Sequence, residues 1–116
     1  MLGKAYLMQK ETNKAEETFR RGLDKFPGYH DCNFGLGNVY EARGDAAEAK
    51  EWYFKTLGYV PDYGPALERL AYLYERAREP DSALYYYERL YHIIPSPGLA
   101  RKIGRLKRVL GSERHE

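Results

Sequence analysis

Apolar residues recur along the chain at helical spacing. Leu36, Val39 and Tyr40 are separated by three residues and then one, which places their side chains on one face of a helix. Polar and glycine-containing segments such as residues 43–45 interrupt the pattern and predict turns. The pattern predicts helices near residues 1–9, 13–26, 31–43, 46–59, 65–77 and 81–93, and a seventh helix after residue 95.

A proline marks the same point in three successive segments. Pro27, Pro61 and Pro95 are spaced by 61 − 27 = 34 and 95 − 61 = 34 residues. The same interval relates five further sets of residues. These sets are Leu2, Leu36 and Leu70; Gly3, Gly37 and Ala71; Tyr6, Tyr40 and Tyr74; Ala15, Ala49 and Ala83; and Phe19, Tyr53 and Tyr87. Agreement at several positions in three copies predicts a tandem repeat of helical hairpins.

The repeated positions alternate small and bulky residues in a way that suits packed hairpins. Gly37 and Ala49 are small where two helices must approach each other, and Tyr53 supplies the filler between hairpins. Asp45 is a predicted N-cap with Glu48 three residues later. In the next repeat a proline falls in the first turn of a helix, where an amide has no helical partner.

The segment after Pro95 departs from the repeat. Ser96 and Pro97 predict an N-cap and a first-turn proline. One apolar stripe follows, formed by Leu99, Ile103, Leu106 and Leu110, and we expect Arg101, Arg105 and Arg108 to project from the opposite side. A helix that is apolar on one side predicts a cap on the last hairpin.

The repeated pattern resembles the tetratricopeptide repeat. The family pattern of Leu-Gly/Ala-x-x-Tyr, Ala-x-x-x-aromatic and Pro is matched by Leu36, Gly37, Tyr40, Ala49, Tyr53 and Pro61. The resemblance implies an all-α fold, a right-handed superhelical solenoid of antiparallel helical hairpins with a C-terminal capping helix. Within a single domain, 1–116, we expect a truncated first repeat at 1–29, repeats at 30–63 and 64–97, a capping helix at 98–111 and a tail at 112–116.

The same resemblance implies a protein-interaction scaffold that binds a peptide or protein segment in a concave groove lined by the first helix of each hairpin. The groove positions are Lys4, Leu7 and Met8, then Phe34, Asn38 and Glu41, then Glu68, Arg69, Tyr72 and Arg76. Phe34 and Tyr72 are candidate apolar anchors, and Asn38 can bond an extended backbone. The match to family members that clamp chaperone tails is poor, because Phe34 stands where the clamp has a lysine.

The charge balance leaves two alternatives open. With 19 basic and 17 acidic residues, the net charge of +2 does not predict a polyanionic partner for the whole chain. Residues 98–116, however, hold six basic and two acidic residues, or +4. An anionic partner, nucleic acid or acidic protein, could therefore contact Arg101, Arg105 and Arg108. The second alternative is self-assembly into a homo-oligomer through an open N-terminal hairpin, since the first repeat lacks counterparts to the residues before Leu36 and suggests a cut fragment.

Candidate chemistry is sparse. The single cysteine, Cys32, forms no intrachain disulfide, and two residues from His30 it points in a different direction. Metal-ligand spacing and a phosphate loop are absent, and the carboxylates are interspersed with basic residues as on solvated faces. We therefore predict no enzyme, catalytic, cofactor or metal site. A soluble chain without membrane insertion is expected, because no run approaches about 18 apolar residues; the compartment stays open, with the cytoplasm favoured.

Overall fold

The computed structural model describes residues 11–114, which fold into α-helices and contain no strand. The helices are α1 (Thr12–Lys25), α2 (His30–Ala42), α3 (Ala46–Tyr59), α4 (Gly64–Arg76), α5 (Pro80–Ile93) and α6 (Pro97–Arg114). The all-α prediction is confirmed, whereas the helix predicted near residues 1–9 lies outside the described residues. The capping helix is longer than predicted, since α6 takes in residues that the sequence assigned to a tail.

The chain divides into two compact units. Unit 1 comprises residues 1–61 and contains α1, α2 and α3, while unit 2 comprises residues 62–116 and contains α4, α5 and α6. The division falls directly after Pro61, one of the three repeated prolines. The predicted organisation as one domain with the repeat limits given above stays a prediction.

The core of unit 1 depends on glycines that seat aromatic rings. Phe19 and Tyr53 are fully buried, and each ring lies against a glycine of α2. A Cβ atom on Gly35 would overlap the Phe19 ring, and one on Gly37 would overlap the Tyr53 ring. The prediction that Gly37 is small because a second helix approaches it is therefore correct.

The core of unit 2 includes one face of α6. Ile103 and Leu106 belong to the same buried cluster as Ala71, Ala83 and Tyr87. Ile103, Leu106 and Leu110 are 9%, 5% and 7% exposed. The predicted capping role of this helix is confirmed, because its apolar stripe is buried on the last hairpin.

Several helix ends follow the predicted local chemistry. The Asp45 side chain accepts a hydrogen bond of 3.1 Å from the Glu48 amide at the start of α3, and the Ser96 hydroxyl accepts one of 3.1 Å from the Leu99 amide at the start of α6. Both are N-caps as predicted. Pro80 occupies the first turn of α5, where its missing amide leaves no helical bond unmade.

The two complete hairpins turn in the same way with different residues. Gly44 has φ 81° and Arg78 has φ 59°, and 78 − 44 = 34, so they are equivalent positions. The amide that follows each residue donates a bond of 2.9 Å to the carbonyl of the repeated tyrosine, Tyr40 or Tyr74. Unit 2 therefore places an arginine in a left-handed conformation that favours glycine.

Asn33 has a structural role that the sequence pattern did not reveal. Its side chain is 2% exposed, and its amide group donates to the carbonyl oxygens of Pro27 and Tyr29 at 3.4 and 3.3 Å. These bonds hold the loop between α1 and α2. The equivalent residue of unit 2, Leu67, is buried as an ordinary core side chain.

A charged network joins α1 to α2 in unit 1. The Glu16 carboxylate accepts bonds from Arg20 at 2.7 Å, Arg43 at 2.9 Å and the Tyr40 hydroxyl at 3.3 Å. Arg43 also donates to the Asn13 side-chain oxygen at 2.7 Å. The bond from Arg20, opposed by partial burial and helped by Arg43, holds the pKa of Glu16 below its ordinary value.

Candidate functional site

The predicted groove residues of α2 lie around Tyr53, two of them at its hydroxyl group and one at its ring. This oxygen lies 2.6 Å from Asn38 Oδ1 and 2.8 Å from Glu41 Oε1. The half-buried Phe34 ring packs against the Tyr53 ring, with 5.5 Å between centroids. The structure therefore brings the three predicted residues together, and it also gives Asn38 and Glu41 an internal partner that the sequence did not indicate.

The predicted residues of unit 2 lie on α4 around the half-buried Tyr72. The guanidinium carbon of Arg69 is 4.6 Å from the Tyr72 ring centroid, and that of Arg76 is 5.8 Å from it. Glu68 is exposed one residue before Arg69. The α4 helix therefore presents an aromatic ring with two cations near it, and such cations stabilise the position of the ring.

Tyr87 links α4, α5 and α6 through its hydroxyl group. The hydroxyl donates to Glu75 Oε1 at 2.8 Å and accepts from Lys102 Nζ at 3.4 Å. Arg105 in turn donates to Glu75 Oε2 at 3.0 Å. Burial raises the pKa of Tyr87 strongly, and the bond to Glu75 raises it further. The hydroxyl therefore keeps its proton at neutral pH and remains the donor to Glu75.

An open cavity of about 500 Å³ lies among α4, α5 and the start of α6. Its apolar surface comes from five side chains. Leu90 and Tyr87 are buried, Tyr72 and Leu99 are half-buried, and Ile94 is exposed. The cavity has the size and apolar character of ligand-binding sites in general, which span roughly 300–1,000 Å³.

Three charged residues border this cavity. Glu68 and Arg69 come from α4 as predicted, and Lys102 comes from α6. Lys102 was not predicted, because only the three arginines expected opposite the apolar stripe of α6 were candidates for a ligand contact. Its position three residues after Leu99 was the available signal, since that spacing places two side chains on neighbouring parts of one helix face.

The three predicted arginines of α6 do not line this cavity. Arg101, Arg105 and Arg108 are all exposed. Arg105 forms an ion pair of 3.0 Å with Glu75 and keeps 56% of its side chain exposed. Lys4, Leu7 and Met8 lie outside the described residues.

Reactive chemistry is limited in the described part of the chain. Cys32 is 3% exposed, and burial together with the neighbouring Asp31 carboxylate raises the pKa of its thiol, which makes it a poor nucleophile. Within residues 11–114, no three His, Cys, Asp or Glu side chains are grouped as metal ligands require. No helix in this part combines the length and apolar character needed to cross a membrane.

Family models identify the repeats over most of the chain. One tetratricopeptide repeat model matches residues 6–70 and a second matches residues 66–101. The first match covers 70 − 6 + 1 = 65 of 116 residues, which is more than half. Mouse tetratricopeptide repeat protein 8 is 34% identical over 56 residues, or 48% of this chain. The match spans only 11% of that protein.

Among the solved structures with a similar fold are two tetratricopeptide repeat domains. MamA is 28% identical with a TM-score of 0.74, covering 78% of this chain and 53% of MamA. The first tetratricopeptide domain of Spaghetti (RPAP3), bound to the HSP90 peptide SRMEEVD, is 17% identical with a TM-score of 0.82, covering 94% and 89% of the two chains. The Sgt2 domain of Aspergillus fumigatus is 21% identical with a TM-score of 0.80, covering 98% and 78%.

Proposed function

Because the chain belongs to the tetratricopeptide repeat family, we propose that it is a non-enzymatic scaffold that binds a peptide or protein segment of another protein. The proposed binding surfaces are the faces of α2 in unit 1 and of α4 in unit 2 that carry the predicted groove residues, which are half-buried or exposed. The α2 residues are Phe34, Asn38 and Glu41, and the α4 residues are Glu68, Arg69, Tyr72 and Arg76. Lys4, Leu7 and Met8 belong to the proposal on the repeat pattern alone.

The single observation that carries the proposal is the position of Tyr72 beside an open cavity. Its ring is half-buried and borders the cavity, whereas the repeated tyrosines Tyr53 and Tyr87 are at most 2% exposed. The equivalent residue of unit 1 is Asn38, since 72 − 38 = 34, so packing of the repeat does not require an aromatic ring at residue 72. Aromatic side chains with cations beside them are common anchors in protein interfaces.

The similar structures support peptide binding by this fold. One repeat domain with the same fold is bound to an HSP90 peptide. We do not extend that particular ligand to this chain, because Phe34 replaces a clamp lysine and the Asn38 oxygen already lies 2.6 Å from the Tyr53 hydroxyl. The proposed partner class is therefore a peptide or protein segment whose sequence this likeness does not define.

The test is affinity capture from a source lysate with the intact chain, a Tyr72→Ala variant and a Tyr85→Ala variant. Tyr85 is a matched control, because it is 55% exposed and lies on α5 outside the cavity. We expect Tyr72→Ala to weaken a captured partner by roughly 1–3 kcal/mol with thermal stability almost unchanged. Equal binding by wild type and Tyr72→Ala would reject the α4 surface, and selective loss in Tyr85→Ala would move the site to the outer face of α5.

Two alternatives stay predictions. An anionic contact through Arg101, Arg105 and Arg108 now relies mainly on Arg101 and Arg108, since Arg105 is paired with Glu75. A steep loss of oligonucleotide binding with salt would support it. Self-assembly through the N-terminal hairpin would involve residues outside the described range, and a mass that rises with protein concentration would reveal it.

A further inference from the structure

The cavity of unit 2 contains a cation that the repeat pattern does not explain. The Lys102 ammonium lies 5.0 Å from the centroid of the Tyr87 ring and 3.4 Å from its hydroxyl oxygen. Its neighbours on α6, Arg105 and Lys107, are each paired with a carboxylate at 3.0 and 3.7 Å. Among the side chains of residues 11–111, Lys102 has no carboxylate partner of this kind.

Lys102 keeps hydrogen-bonding capacity that the protein does not use. An ammonium group has three N–H donors, and the contact with Tyr87 engages one of them. The proton of the Tyr87 hydroxyl is directed to Glu75 at 2.8 Å, so the hydroxyl can act only as an acceptor towards Lys102. Two donors therefore remain at the edge of the cavity, where an anionic group of a ligand could accept them.

The apolar side chains next to Lys102 are also partly exposed to solvent. Ile94 is 57% exposed and Leu99 is half-buried, although both line the cavity. Covering such side chains stabilises a complex, because it removes apolar surface from water. A ligand that combines a bulky apolar group with a nearby anion would complete both features at once.

We propose that this cavity receives a bulky apolar side chain from an acidic peptide segment of a partner protein, with a carboxylate of that segment bound to Lys102. The inference rests on the proposed function and adds the chemistry of the ligand. Arg69 at the same cavity contributes a second positive charge, while Glu68 contributes a negative one. One or two acidic residues beside the apolar residue suit this balance better than the dense charge of a nucleic acid.

The first experiment selects ligands without assuming their sequence. A random linear peptide library displayed on phage is panned against the intact chain, with the Tyr72→Ala variant used to remove peptides that bind elsewhere. We expect the enriched peptides to carry a Leu, Ile, Met or aromatic residue flanked by Asp or Glu. Enrichment of basic or uncharged peptides, or of phage that carry no apolar residue, would overturn the ligand chemistry.

The second experiment measures the dissociation constant of one enriched peptide, synthesised with blocked ends, for variants of the cation and of the apolar surface of the cavity. Lys102→Gln should weaken binding about tenfold, and Ile94→Ser should weaken it several-fold. Lys107→Gln and Val109→Ser are the matched controls, because both residues are exposed on α6 and lie outside the cavity. We expect less than about twofold change for either control, and a smaller salt dependence for Lys102→Gln than for wild type.

The outcomes separate this inference from the proposed function. If Tyr72→Ala abolishes peptide binding while Lys102→Gln matches wild type, the scaffold function stands and the role of Lys102 is rejected. Equal losses in Lys102→Gln and Lys107→Gln would show general attraction to a basic helix and reject the site. If the library yields no peptide that depends on Tyr72, the α4 surface and this site are both rejected, whereas the α2 surface of the proposed function is not. Tighter binding of a single-stranded oligonucleotide through Lys102 would reject the acidic peptide as the ligand.

Discussion

The hairpins α2–α3 and α4–α5 carry the same repeat, yet their central tyrosines are bonded differently. In unit 1 the Tyr53 hydroxyl lies between Asn38 and Glu41, both on α2. In unit 2 the Tyr87 hydroxyl donates to Glu75 and accepts from Lys102 on α6. The tyrosine and the glutamate are equivalent in the two units, so only the third partner has changed.

The difference shows that one repeat position need not supply a hydrogen-bond partner when another element does so. Asn38 and Tyr72 are equivalent, since 72 − 38 = 34. In unit 1 this position supplies a polar partner to the buried hydroxyl. In unit 2 the capping helix supplies that partner instead, and Tyr72 borders an open cavity. A buried hydroxyl needs hydrogen-bond partners, but any nearby element can provide them.

The largest expected effect concerns the dependence of unit 2 on α6. Leu106→Ala should lower the free energy of unfolding by about 2–4 kcal/mol, because Leu106 is 5% exposed and its removal leaves a cavity in the core. Val109→Ala on the same helix is the control, with less than about 0.5 kcal/mol expected at a side chain that is 43% exposed. Urea unfolding measures both. Equal stability of the two variants would mean that unit 2 does not need its cap.

The second prediction concerns the small residue of α2 that lies against the Tyr53 ring. Gly37→Ala copies the residue of unit 2, Ala71, but its Cβ atom would overlap the ring of Tyr53. We expect a net loss of about 1–2 kcal/mol, because the overlap outweighs a gain of roughly 1 kcal/mol in helix propensity. The control is Gly58→Ala in α3, where no atom lies within 4 Å and a small gain is expected. If thermal unfolding shows that both variants are more stable than wild type, the tight contact between Gly37 and the Tyr53 ring is contradicted.

The third prediction concerns the turns of the two hairpins. Arg78→Gly should stabilise the protein by about 0.5–1 kcal/mol, since an L-residue in the left-handed region is disfavoured and glycine is not. Gly44→Ala, the reverse exchange in unit 1, should destabilise it by about 1 kcal/mol. Chemical unfolding of the pair measures the difference. A loss of stability in Arg78→Gly would show that this arginine makes a compensating contact.

The smallest expected effect tests the charged network that unit 1 builds around Glu16. The folded state lowers the pKa of Glu16 below its ordinary value of 4.5, mainly through the bond from Arg20. This contribution is complete above about pH 4.5 and is lost as the pH falls through the lowered folded-state pKa. The stability advantage of wild type over Glu16→Gln should therefore shrink in acid. Glu17→Gln, which alters an exposed pair with Arg21, is the control, and a constant advantage of wild type across this range would contradict the prediction.

The fold could be predicted from the sequence further than the candidate site could. The period of the prolines and the spacing of Leu36, Val39 and Tyr40 located the described helices, because both patterns are present in the linear sequence and do not depend on which helices pack together. Asn38 was predicted to face a ligand because the family resemblance assigns its position to the groove. Its bond to Tyr53 depends on a second helix, so the pattern of one helix could not show it.

The repeat, the helices and the buried stripe of α6 follow from the amino-acid sequence, since they depend on helical periodicity and on local capping chemistry. The position of Lys102 at the cavity of Tyr72 and the ion pair of Arg105 with Glu75 are known only from the folded chain. These residues are 102 − 72 = 30 and 105 − 75 = 30 positions apart. Their meeting depends on how α6 packs against its hairpin, and no local pattern in the chain specifies the side-chain partners made there.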